Sequence, residues 1–392
     1  MYMPQFLLFA LFFFFSVSYN MLGPLVTNIM DSTGISLTAS GSLLSSQQMG
    51  AIASMVLLFL FQKKLKQSSI MRIGYSVIVV GFLALSFDHH IFILFMSYTL
   101  LGVGAFLVDS GSNSYIASRY FEKRALYIPL LHFMYSAGAI ITGYLVLPFK
   151  SASWPFAYLT VALVILILLS GQIFLSKREE KRGDKTIHKE REQGDIKKLI
   201  KDPAFILYTL VIMFYMGSQI VCSAWIPVYV ETELGQNAAI TGTSLTMFWV
   251  GTALSRLIIG PVLNKGAKPF TLSIWGMLLA GISLIMASTV SPNIISVLFF
   301  TLLTGFFAGA TIPMYIVVCS TWYPNNTTFI SLSYIFAGTV GRMIFPFLVT
   351  LIASYFSLSF SLSLSSILLL ASAILILLVK KITLLRPSYS VP

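Results

Sequence analysis

GAIASMVLLFLFQKKLKQSSIMRIG, residues 50–74, and GTALSRLIIGPVLNKGAKPFTLSIWG, residues 251–276, share one layout. Each has a glycine inside an apolar run, then a basic turn that cannot rest in hydrocarbon, then a second glycine in the next apolar run. The two stretches are displaced by about 201 positions. Gly102, Tyr120 and Gly138 recur in the same way as Gly305, Tyr323 and Gly341, displaced by about 203. Self-similarity at a fixed offset is the mark of a duplicated architecture, so the chain reads as two like halves.

What each half contains follows from hydrophobicity. Of 392 residues 57% are hydrophobic, 14% aromatic and 10% charged, with a mean hydropathy of +0.88, far from the balance of a water-soluble domain. A hydrocarbon core of roughly 30 Å needs about 20 helical residues to cross. Runs long enough lie at 4–30, 36–61, 70–87, 91–118, 126–149, 153–176, 204–230, 238–263, 269–290, 293–320, 327–350 and 354–379. The expected fold is therefore all-α and membrane-embedded, with twelve transmembrane helices in two six-helix pseudo-repeats. The opening MYMPQ lacks the basic start of a signal peptide and its apolar run is too long for one, so it counts as the first helix.

Lysine and arginine orient the helices. With both termini on one side, Lys63, Lys64, Lys66, Arg72, Arg119, Lys123, Arg124, the block from Lys177 to Lys201, Lys265, Lys268, Lys380, Lys381 and Arg386 share that side, against Lys150 on the other. That side is expected to be cytoplasmic, in a multi-pass protein of the cell membrane. The net charge of +12 thus serves anionic lipid and topology, and nucleic acid is not an expected partner. Residues 177–202, KREEKRGDKTIHKEREQGDIKKLIKD, carry ten basic and seven acidic residues, too polar to span. The expected domains are a six-helix bundle at 1–176, a charged cytoplasmic linker at 177–203 and a second bundle at 204–392. Cys222 and Cys319 fall in different helices, and no metal-ligand spacing is present.

One acid stands inside a span. Asp109, in LLGVGAFLVDSGSNSYIASRYFEKR (100–124), lies ten residues before Arg119, roughly 15 Å along a helix and so near the middle of a ~30 Å core. An ionised aspartate at a helix centre costs about 2.5–3.5 kcal/mol. It must face water, pair, or spend part of its time protonated, and the last option suits proton coupling; a structural hydrogen bond between helices is the alternative. Asn113, one turn on, shares its face. His132 is either a second proton carrier or a neutral, hydrogen-bonded packing residue. Asn20, Gln47, Gln219 and Trp225 offer amide and indole groups suited to a hydroxyl-bearing ligand, because buried hydroxyls need paired donors and acceptors. Arg256 is close enough to the basic end of its helix to snorkel and reads as a gating or structural residue. Arg342, deeper in its helix, must face a cavity or a partner. A carboxylate or phosphate of a substrate would serve.

Several stretches resemble a known family. The 6+6 plan, the charged central loop and the basic turns after the second and eighth segments are similar to the major facilitator superfamily across essentially the whole chain. SSQQMG (45–50) with Gln47, the glycine-rich run around Asp109, PLLHFMYSAGA (129–139) with His132 and Gly138, MFWVGTALSRLIIG (247–260) and GFFAGATIP (305–313) resemble its fucose-type and glucose/mannose-type sugar:proton symporters. Where that branch often has further intramembrane acids, this chain has Asn20 and Gly23 in the first segment and Gln219 in the seventh; LFQKKLKQSS replaces the superfamily's usual acidic-basic turn.

The resemblance implies a secondary active transporter, expected to move a small polar solute, a sugar foremost, by proton symport with alternating access. Asp109 and His132 would couple protons; Asn20, Gln47, Asn113, Gln219, Trp225 and Arg342 would bind substrate. The alternatives are an organic-anion transporter anchored by Arg342, a proton-coupled exporter of drugs or metabolites, and a transport-dead membrane sensor. No phosphate-binding loop or nucleophile–His–acid set is legible, so no enzymatic activity and no cofactor are expected. The expected partners are a small solute, protons and membrane lipid, around a monomer.

Overall fold

A computed structural model of the chain describes residues 3–61, 65–87, 90–119, 124–150, 153–180, 199–289, 293–323 and 326–384. Most of the charged central segment, with Lys63, Lys64, Asp88, Tyr120, Glu122 and Lys123, lies outside them. The described residues form two compact units, 1–189 and 190–392. In the first unit the helices are α1 (Met3–Asn20), α2 (Leu22–Thr33), α3 (Leu37–Phe61), α4 (Gln67–Phe87), α5 (Ile91–Arg119), α6 (Arg124–Leu145) and α7 (Trp154–Glu180). In the second they are α8 (Pro203–Thr232), α9 (Ala238–Asn264), α10 (Pro269–Thr289), α11 (Ile294–Ala308), α12 (Thr311–Trp322), α13 (Thr327–Ala353) and α14 (Leu358–Leu384). Helix α7 takes in Lys177 to Glu180, so the charged segment begins as the end of a helix. Asp202 closes it at the other side by capping α8, accepting from the Ala204 N–H at 3.0 Å.

Among the described residues nine helical stretches are long and apolar enough to cross a bilayer, or ten with α1 and α2 counted as one. Twelve passages are roughly matched, with α3 made more polar by its Ser and Gln and the apolar part of α6 shortened to Leu130–Leu145.

Two expected spans are each broken. The run 4–30 bends by 46° between α1 and α2, and the run 293–320 breaks after Ala308. One cause fits both. A proline ring clashes with the carbonyl four residues earlier and offers no N–H to it; Pro24 acts on Asn20, the last residue of α1, and Pro313 acts on Gly309, the first residue beyond α11.

The duplication is visible in the packing. In the first unit α4 packs on α5, α3 on α5, α1 on α6, α4 on α7 and α1 on α7; in the second, α10 packs on α11, α9 on α11, α8 on α13, α10 on α14 and α8 on α14. The glycines of the sequence repeat make these crossings. A Cβ on Gly50 would run into the Thr99 carbonyl and one on Gly102 into the Gln47 carbonyl; Gly251 meets Leu302 and Gly305 meets Phe248 in the same way. Gly138 abuts the Phe13 carbonyl of α1, and Gly341 the Met213 carbonyl of α8. Only a residue without a side chain lets two helix backbones approach so closely, which is why these positions recur in both halves.

Candidate functional site

Asp109 and Asn113 are brought together. The Asn113 Nδ2 donates both to Asp109 Oδ1 and to the Asp109 backbone carbonyl, each at 2.9 Å, and both residues are half-buried. Tyr75 of α4, fully enclosed, lies close to Ser112 and Asp109. Helix α5 has 29 residues, about 43 Å at 1.5 Å each, longer than a hydrocarbon core of ~30 Å. The crossing of Gly102 with α3 occurs beside Gln47 and Ala51, in the middle of that helix. Asp109 is about 10 Å further toward the Arg119 end.

His132 sits on α6 and is exposed, with its ring edge-on to Phe12 at 6.2 Å between centroids. Asn20 is buried and donates to the Ser16 carbonyl one turn back at 2.8 Å, an amide engaged with its own helix. Gln47 is completely enclosed, and neither its Oε1 nor its Nε2 has a hydrogen-bond partner. Its neighbour Gln48 instead reaches α1, donating to the Tyr19 hydroxyl at 3.0 Å.

In the second unit Gln219 is half-buried and donates from Nε2 to the Tyr215 hydroxyl at 3.0 Å. Arg256 approaches the same hydroxyl, and its Nε donates to the Gly309 carbonyl at 3.3 Å. Arg256 therefore does not snorkel to the membrane surface. It turns inward because Pro313 leaves the Gly309 carbonyl without its helical donor, and a guanidinium is the group that can reach it. Tyr215 is the residue the sequence reading passed over, although it stands one turn before Gln219 in YMGSQ. Trp225 has no exposed surface, and its Nε1 has no acceptor. Arg342, on α13, is half-buried with its Nε enclosed and unpartnered.

Two groupings result. The first unit holds an acid gripped by an amide, with an unserved amide at Gln47. The second holds the Gln219–Tyr215–Arg256 chain, with an unserved indole at Trp225 and an unserved guanidinium nitrogen at Arg342. Buried polar atoms without partners are uncommon, and each costs about 1–3 kcal/mol. Cys222 and Cys319 are both buried as free thiols, on α8 and α12.

Comparison with known proteins agrees with this architecture. "Bypass of stop codon protein 6" of Saccharomyces cerevisiae is 22% identical over 187 residues, 42% of this chain and 37% of that one. "Multidrug resistance protein MdtH" of Shigella dysenteriae is 23% identical over 247 residues, 61% of this chain and 58% of that one. In both, the match spans less than two thirds of the relative's length. A crystal structure of a bacterial homologue of the human lysosomal transporter Spinster superposes with a TM-score of 0.85 at 11% identity, covering 99% of this chain and 98% of that chain. The sequence pattern of the Major Facilitator Superfamily matches residues 8–242 and 215–389. With its duplicated helical units, its broken first and tenth spans and this match over nearly its whole length, the chain belongs to the Major Facilitator Superfamily.

Proposed function

We propose that the protein is a proton-coupled secondary transporter that carries a small neutral polar solute, a sugar foremost, by alternating access, with its bundles at 1–176 and 204–392 and its basic side facing the cytoplasm. The carrying observation is the Asp109–Asn113 pair. An ionised aspartate deep in a span costs about 2.5–3.5 kcal/mol, and a hydrogen bond to a charged group returns about 1.5–3 kcal/mol. The two nearly cancel, so loading and unloading a proton at Asp109 requires no large free-energy step. His132, exposed on α6, is the proposed second proton carrier.

The sugar reading draws support from the groups left unserved. Gln47 has a free donor and acceptor, and Trp225 a free donor beside a large apolar face; a polyol ring presents hydroxyls and C–H faces that match both. Asn113 and Gln219 supply half-buried amides, and Asn20 would join once freed from Ser16. Gln47 and Trp225 are enclosed in this conformation, so the cycle itself must open them to solute. Arg342 favours a second reading, in which the solute is an organic anion paired with the guanidinium.

The experiment is reconstitution into liposomes after a ligand screen by thermal stability, using hexoses, carboxylates, nucleosides and cationic dyes as probes. Asp109→Asn keeps size and hydrogen bonding while holding the site in a form like the protonated one. Exchange of labelled for unlabelled solute should continue, and accumulation driven by a pH gradient should stop. Continued accumulation refutes the coupling role. Stabilisation by dyes but by no hexose or carboxylate points to the exporter instead, and a stabilising ligand without any exchange points to a sensor.

A further inference from the structure

One face of α4 carries a groove that the transport reading does not use. Ile73, Ser76, Val77 and Val80 of α4, with Leu100 of α5 and Arg72 at one end, line a space of about 330 Å³. Ile73 is 43% exposed and Val80 58% exposed, so on a spanning helix this face meets lipid chains and not the protein interior. Arg72 donates from Nε to Gln172 Oε1 of α7 at 3.1 Å, and Gln172 is 1% exposed. That bond fixes the guanidinium plane. It leaves Nη2 shielded from solvent and without an acceptor. The guanidinium as a whole is half-buried, and a charged donor with a bond still to make suits an anionic oxygen. Among the described residues Gln172 is the sole hydrogen-bond partner of Arg72.

We propose that this groove holds one anionic phospholipid, its phosphate accepting from Arg72 and one acyl chain lying along Ile73, Val77, Val80 and Leu100. Depth agrees with that occupant. Arg72 is in the second turn of α4, about 8 Å from the helix start beside Lys66, within the reach over which a long basic side chain meets headgroups. Charge agrees as well, because this is the basic side of the chain, and basic pockets between spanning helices on that side select acidic headgroups. The apolar wall excludes a free phosphate, which has no chain to fill it.

The test uses the full-length protein, purified and delipidated in detergent, with phosphatidylglycerol, phosphatidylethanolamine or inorganic phosphate added back. Retained lipid is counted by native mass spectrometry, and stability is followed by thermal unfolding. One cation near the surface corresponds to about a fivefold preference for the anionic lipid. Arg72→Gln should abolish that preference, and Arg72→Lys should keep part of it. Val80→Trp, which fills the groove at an exposed position without touching Arg72, should lower retention of phosphatidylglycerol; it decides the matter if Arg72→Gln fails to fold. Equal retention of the two lipids by the unaltered protein overturns the proposal. So does a preference that survives Arg72→Gln, or stabilisation by inorganic phosphate equal to that by phosphatidylglycerol.

Discussion

Pro313→Ala should make Arg256 partly dispensable. Pro313 ends α11 by withdrawing the donor from the Gly309 carbonyl, and Arg256 Nε supplies a replacement at 3.3 Å. A charged donor to a carbonyl contributes about 1.5–3 kcal/mol, and a buried carbonyl left bare costs about 1–3 kcal/mol. Arg256→Met in the unaltered chain should therefore destabilise by about 2 kcal/mol. With alanine at position 313 a backbone N–H is restored four residues after Gly309, and it can bond that carbonyl as in any α-helix. In that background Arg256→Met should cost at least about 1 kcal/mol less, because the carbonyl is served either way. The approach of Arg256 to Tyr215 is present in both backgrounds and cancels from the comparison. The four proteins, purified in detergent micelles, are compared by denaturant titration with SDS or by thermal unfolding. Equal costs for Arg256→Met in the two backgrounds, within about 0.5 kcal/mol, would refute the reasoning and assign Arg256 to Tyr215 alone.

Three further outcomes are expected. Arg342→Gln should leave stabilisation by a neutral hexose within about twofold, since the unserved Nε of Arg342 has no role toward an uncharged solute; a loss of tenfold or more for a carboxylate probe, the size expected of a charged hydrogen bond, would replace the sugar reading with the anion reading. Trp225→Phe removes an N–H that has no partner in the protein together with part of a fully buried ring system, so it should destabilise through the cavity it leaves while hexose affinity falls about tenfold, and Gln219→Ala should weaken hexose binding similarly; unchanged affinity in both variants, measured by calorimetry, places the solute elsewhere.

The features legible in the sequence were those written in bulk properties. Hydrophobicity located the passages, and the offset glycines announced a duplication whose crossings the structure places at the Gln47, Phe248, Phe13 and Met213 carbonyls. What hydrophobicity cannot register is the state of the backbone. Pro24 and Pro313 sit in apolar runs that read as unbroken, yet each silences the carbonyl four residues earlier.

Residue type was equally unable to tell which polar side chains are available for chemistry. Many serines and threonines in these helices bond the carbonyl three or four residues back, as Thr142 does to Gly138 at 2.7 Å and Ser372 to Leu368 at 2.7 Å. A hydroxyl served that way has spent its donor and keeps only its acceptor lone pairs. Asn20 likewise spends one N–H on its own helix, at Ser16. Gln47 and Gln48 are adjacent, identical in chemistry, and about 100° apart around one helix; one turns to Tyr19 and is satisfied, the other is enclosed with both ends unserved. In a medium that offers no water to an unpaired amide, that difference separates a residue that holds helices together from one that has a bond still to make. By the same criterion Trp225 and Arg342 each have a bond still to make, while Arg256 has already made one, to the Gly309 carbonyl.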